Sequence, residues 1–275
     1  MPKPQTKPRR TTKSRLATKA PRSQGTSDGT IEVSRAGGCV TAILTRPAMR
    51  NRISAAMARS LIELAEQVED DDSAQMLAIT GSVSLSAVAS FCAGFDADVD
   101  PRLVESIAIL SKPTLAIVNG DALDEGLELA IALDIRVALA RARMGLTQLA
   151  RGVMPRFGGT QRLPRLVGGG RGLQMLLTGD TIDGDQALRL GLIGYVARES
   201  RDLPALVASV TQTLLSRGPL AVRMAKEAML KGYDMTLEQG IRLEEDLYAL
   251  LQTTADRAEG VRAFLEKRKP LFKGA

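Results

Sequence analysis

Apolar and polar positions alternate along the chain in two rhythms. Residues 31–34 and 39–45 read as strands on either side of the turn Ala36-Gly37-Gly38. The rhythm then lengthens. Ala55, Met57, Leu61, Leu64 and Val68 supply much of one helical stripe, which predicts an amphipathic helix from the N-cap Ser54 to about Asp70. Asp70-Asp71-Asp72 ends it. Residues 76–80, 114–118 and 135–138 are short apolar runs of buried-strand type. Strands separated by helices predict right-handed crossovers and a largely parallel sheet. After Gly170 the helical rhythm dominates, with segments at 203–216, 220–230, 236–251 and 256–267. Gly168-Gly169-Gly170 reads as a flexible turn, and no Gly-Lys-Ser/Thr follows to make it a phosphate loop.

Charge divides the chain unevenly. Eight of the 37 basic side chains and one of the 31 acidic ones lie in residues 1–29, which leaves a balanced body of 29 basic and 30 acidic groups. Residues 1–29 have almost no large apolar side chains and are expected to form a disordered basic tail. Such a tail is the only feature that suggests nucleic acid. The body, 44% hydrophobic by whole-chain composition, can bury a core, and the core must be aliphatic because aromatics are 3% and Trp is absent.

The chain has no histidine. That excludes Ser-His-Asp and Cys-His catalysis and every His-ligated metal site. Proton transfer must use Asp, Glu, Lys, Tyr, Cys or water. Two distant cysteines, Cys39 and Cys92, give no disulfide framework and suit a reducing, cytoplasmic setting. Without an imidazole to activate it, Cys92 reads as a small buried residue. The apolar stretches are broken by charges, so no membrane span is expected.

Several segments occur in an order that carries a family likeness: Arg46-Pro47-Ala48-Met49-Arg50-Asn51, Ser90-Phe91-Cys92-Ala93-Gly94-Phe95-Asp96, Lys112-Pro113 to Asn119-Gly120, Gly158-Gly159-Thr160-Gln161-Arg162-Leu163-Pro164-Arg165, Leu177-Thr178-Gly179-Asp180, Ala187 to Gly191-Leu192, and the terminal run from Asp256 to Arg268. Over residues 31–273 the chain resembles the crotonase superfamily, the enoyl-CoA hydratase/isomerase family. The resemblance implies an α/β fold, a crotonase-like ββα spiral with a C-terminal helical trimerisation region. Its expected divisions are the tail, a spiral core at 30–200 and a helical oligomerisation region at 201–275. The expected assembly is a homotrimer or a dimer of trimers.

The family's shared chemistry stabilises an enolate-like thioester oxygen between two backbone N–H groups. By position these are the N–H groups of Ala93 and Glu125. The family's three successive glycines are replaced by Asp124-Glu125-Gly126. Either the two acidic side chains point out of the pocket, or the oxyanion hole is impaired. Glu128 stands at the position of one of the two glutamates that family hydratases use. Gln148 stands at the other, and an amide cannot exchange its proton as a carboxylate does. From Gly94 to Asn119 the chain is shorter than most members, as though a helix were missing.

Three readings follow from the resemblance. Glu128 alone serves isomerisation or hydration of an acyl-CoA, with Gln148 positioning water or substrate. The site runs another enolate reaction, such as decarboxylation. Or the chain is a non-catalytic acyl-CoA-binding or scaffold protein. The first is the leading expectation. Coenzyme A enters as part of the substrate, with no metal or redox cofactor implied. Its expected contacts are Arg50, Asp96, Phe264 and Lys267, with Phe264 and Lys267 reaching a neighbouring subunit's ligand. Asp96 is expected to hydrogen-bond the oxyanion loop or meet the adenine edge.

Overall fold

The computed structural model describes residues 28–83 and 88–275. Almost all of the expected basic tail lies outside the described residues. The first hairpin forms as the pattern predicts, with strands β1 (Thr30–Ala36) and β2 (Cys39–Thr45) paired antiparallel around Gly37 and Gly38. Helix α1 (Ala55–Asp70) follows, capped by the Ser54 hydroxyl, which accepts from the Met57 N–H.

From there the chain repeats one motif, a strand, a second short strand and a helix. The first turn is β3 (Met76–Gly81), β4 (Ser90–Cys92) and α2 (Leu103–Ala108). The second is β5 (Thr114–Val118), β6 (Asp121–Leu123) and α3 (Glu125–Ala132). The third is β7 (Ile135–Leu139), β8 (Met144–Gly145), a 3-10 turn over Gln148–Arg151 and α4 (Gly159–Val167). The long strands join a six-stranded sheet in the order β1-β2-β3-β5-β7-β9, parallel from β2 onward, where β9 is Tyr195–Ala197. The short strands form a second parallel sheet, β4-β6-β8. This is the expected ββα spiral.

The core is aliphatic and continuous. The apolar face of α1 (Met57, Leu61, Leu64, Val68) packs with strand residues such as Leu44, Leu77, Ile79 and Leu115. At about 25 cal/mol per Å² such burial is the main stabilising term. Helices α5 (Gly169–Thr178) and α6 (Gly184–Arg189) lead to β9. The triple-glycine run is a corrected detail. Gly168 alone makes the turn, with φ +85°, and Gly169 and Gly170 start α5. The segment from Gly94 to Asn119, read as missing a helix, holds one short helix, α2.

Helices α7 (Leu203–Leu215), α8 (Pro219–Gly232), α9 (Leu237–Gln252) and α10 (Ala255–Leu265) complete the chain. Helices α8 and α9 bury no residue fully, and Met229, Tyr233, Leu237 and Tyr248 are exposed. Helix α8 is tied to the sheet by Lys226, whose ammonium donates to the Asp134 carboxylate at 2.6 Å and to the Lys112 carbonyl at 3.0 Å. Among the described residues no helix is long and apolar enough to cross a membrane.

Candidate active site

The second sheet assembles the site. Its three strands are parallel neighbours, so the chain leaves each at the same edge. Residues 93–96 follow β4, Asp124 and Glu125 follow β6, and Thr147 and Gln148 follow β8. Residues about 20 to 30 apart in sequence thereby become adjacent in space. At Gly126 the start of α3 passes so close to β4 that a Cβ would overlap the Cys92 carbonyl, so only glycine fits.

The two acidic residues that replace glycines behave differently. Asp124 adopts φ +52° and ψ −124°, a conformation that costs a non-glycine residue about 1–3 kcal/mol. Its side chain is held on the pocket wall by residues that follow β8. One carboxylate oxygen accepts from the Thr147 N–H (2.7 Å) and hydroxyl (2.8 Å), and the other pairs with Arg151 at 2.8 Å. These bonds offset the strain, so the backbone keeps a glycine-like path. Glu125 turns inward. Its Oε2 accepts from the Phe95 N–H at 3.3 Å.

The expectation for Ala93 is corrected by the same geometry. Its N–H donates to the Arg50 carbonyl at 3.0 Å and is not available to a ligand. The amide that faces the Glu125 carboxylate is that of Phe95, two residues on. The Glu125 N–H opens α3, where an N–H has no intrahelical acceptor.

Glu128 lies one helical turn further, with no solvent exposure. Its Oε1 accepts from the N–H groups of Phe157 and Gly159, both at 2.8 Å, and its Oε2 from the Gln148 amide at 3.3 Å. Burial raises the proton affinity of this carboxyl above the usual glutamate range. The Gly159 and Phe157 N–H groups pull the other way, and nearby Glu125 adds to the rise. Gln148 is fully buried too, and its Oε1 has no hydrogen-bond partner among the described residues. A buried acceptor without a donor beside a carboxyl of raised proton affinity is where a bound water or hydroxyl would gain most.

A cavity of about 590 Å³ opens beside the start of α3, lined among others by Arg50, Ala93, Asp124, Glu125 and Arg151. Glu128 and Gln148 do not line it. At its rim Arg50 pairs with Asp121 at 2.9 Å. Asp96 pairs with Arg46 at 2.6 Å and Arg52 at 3.5 Å, so its side chain meets two guanidiniums of the preceding turn. Phe264 and Lys267 are exposed at the end of α10, Phe264 at 82%. Cys92 is buried, and desolvation pushes its thiol up to about 12, so it is no nucleophile.

Phe95, Phe157, Gly159 and Asn51 are the site residues that the sequence pattern does not single out. Asn51 is buried with φ +56° and donates to the Ser82 and Ser90 carbonyls at 2.9 and 2.7 Å, which fixes the Arg50 turn against β4. The Gly158-Gly159 turn carries the one usable signal. Its tightness is what brings the Gly159 N–H to Glu128, and a Cβ at 159 would stand 2.9 Å from the carboxylate oxygen.

With this geometry in view, comparison with known proteins is specific. The family described as enoyl-CoA hydratase/isomerase matches residues 35–275. The chain is similar to crotonyl-CoA hydratase of Syntrophomonas wolfei, at 36% identity over 240 residues, 83% of this chain and 92% of that protein. It is similar to 2,3-dehydroadipyl-CoA hydratase of Escherichia coli, at 36% identity over 255 residues, 88% and 98% of the two chains. A crystal structure of enoyl-CoA hydratase from Bacillus anthracis superposes with a TM-score of 0.84 at 34% identity, covering 89% of this chain and 99% of that one.

Proposed function

The chain belongs to the enoyl-CoA hydratase/isomerase family, and from that premise we propose that it transforms an acyl-CoA thioester with Glu128 as its acid and base. The observation that carries the reading is Glu128 itself, a fully buried carboxyl of raised proton affinity held beside the unpaired Oε1 of Gln148. In hydration, the carboxylate takes a proton from water as the water oxygen bonds to the β-carbon of an enoyl thioester. The double-bond electrons move to the thioester oxygen, and Glu128 returns the proton to the α-carbon. In isomerisation it removes a proton from one carbon and returns it to another. Both routes balance with one carboxyl. Gln148 orients Glu128 through its amide and accepts from the water.

The enolate oxygen would be held by the N–H groups of Phe95 and Glu125, which flank the Glu125 side chain and the start of α3. Arg50, which lines the cavity, and Asp96, which pairs with Arg46 and Arg52 of the arginine-rich turn, are proposed contacts of the CoA moiety. Phe264 and Lys267 would reach CoA from a second copy of the chain. A homo-oligomer built through the C-terminal helices is supported by the apolar side chains exposed on α8 and α9.

A second reading, a binding protein without turnover, is favoured by one observation. The Glu125 carboxylate lies on the Phe95 N–H, and Glu128 does not line the cavity. Assay of crotonyl-CoA with the native chain and Glu128→Gln separates the two. Turnover that falls about 10²–10⁴-fold in the variant supports the enzyme. Binding without turnover in either protein supports the second reading.

A further inference from the structure

An oxyanion hole works best when its donors are free before substrate arrives. Here one of them is engaged. The Phe95 N–H donates to Glu125 Oε2, and that oxygen lies 2.7 Å from where a Cβ on Gly94 would stand. The carboxylate therefore rests against the bare Gly94 Cα, inside the space that a thioester would enter. The Arg52 guanidinium borders the same point at 2.8 Å. Glu125 lines the cavity whereas Glu128 and Gln148 do not, and the Gln148 Oε1 stays unpaired. An anionic oxygen accepting from this N–H imitates the charge that the hole would stabilise.

On the thioester reading above, we propose that Glu125 determines specificity: its carboxylate occupies the oxyanion seat of the free protein, and only a ligand with an acyl carbonyl oxygen displaces it. Coenzyme A without an acyl group brings no oxygen for the seat and leaves Glu125 in place. An acyl thioester replaces the Phe95 hydrogen bond with its own. The carboxylate then rotates toward Arg52, the cation that already borders Gly94. Glu125 thus weakens acyl-CoA binding selectively, and its backbone N–H becomes useful only once its side chain has left.

The test is calorimetric titration of the full-length protein with butyryl-CoA, a saturated thioester that cannot be hydrated, and with free CoA. Glu125→Gly and Glu125→Gln are titrated alongside. Glu125→Gln keeps the shape of the side chain, so a folding defect in one variant leaves the other readable. The expected result is butyryl-CoA binding about tenfold tighter in Glu125→Gly, the weight of one charge-assisted hydrogen bond, with free CoA little changed. Glu125→Gln is expected between native and glycine. Equal tightening for both ligands overturns the proposal and identifies Glu125 as a charge that repels phosphate. Weaker butyryl-CoA binding in the variants also overturns it. If free CoA and butyryl-CoA both fail to bind every form, the thioester reading falls, and the proposal with it.

Discussion

The Gln148 amide nitrogen lies 3.3 Å from the Glu128 carboxylate, and the other end of the same amide meets no donor. One side chain thus orients the candidate acid/base and offers a buried acceptor. Gln148→Glu would place a second carboxyl beside the first. Two adjacent carboxylates do not both ionise easily, so the pair should hold a proton to higher pH. The expected outcome is a pH–rate profile for crotonyl-CoA moved upward by about one unit or more, with faster water addition. An unmoved profile would show that the two side chains do not share a site.

Glu128 also links stability to pH. Its proton affinity is higher in the folded protein than in the unfolded chain. The folded state therefore holds a proton through a window in which the unfolded chain has lost it. The stability that this group contributes is fully present below the ordinary glutamate range and is lost as pH rises through the raised value. Glu128→Gln removes this slope, and its amide can donate to the vacant Gln148 Oε1. Thermal melts from acid to neutral pH should show a flatter curve for the variant. Parallel curves would contradict the raised affinity.

Cys39 and Cys92 are both buried, and burial raises both thiols, Cys92 to about 12. Neither is expected to react with an aromatic disulfide reagent while the protein is folded. Labelling should follow unfolding, with both thiols appearing together in denaturant. Rapid stoichiometric labelling of the native protein is the contrary outcome.

Asn51 joins the arginine-rich turn to two carbonyls and also accepts from the Arg46 N–H at 3.1 Å. Asn51→Ala leaves these groups unpaired in the interior, a loss of about 2–4 kcal/mol. Urea denaturation should show a lower midpoint with an unchanged slope. Because Arg50 and Arg52 sit on the same turn, CoA binding should weaken as well.

Much of the scaffold was legible in the sequence because its signals are local. The hairpin over 30–45, the Ser54 cap and the strand over 114–118 follow from period, cap and turn residues alone. The short strands β4, β6 and β8 do not. Three residues or fewer carry no periodicity, and they become strands only because they pair with one another. The site hangs on that pairing. Positional likeness led to Glu128, Gln148 and Glu125, and the structure brings these three together around the start of α3. It could not tell that the Ala93 N–H would be spent on Arg50, since that bond joins segments 43 residues apart in the chain. Nor could it assign different partners to Asp124 and Glu125. The Asp124 side chain is held by Thr147 and Arg151, which no local pattern connects to it.

The three short strands act as a staircase. Each step presents a few residues at the tread's edge, and the height between steps is fixed by the β-ladder spacing of about 4.8 Å. Between the steps run longer stretches of chain, one of which holds α2. Trimming that stretch lowers no step. A lineage can therefore lengthen or shorten what lies between the steps without disturbing the spacing of the residues that stand at their edges.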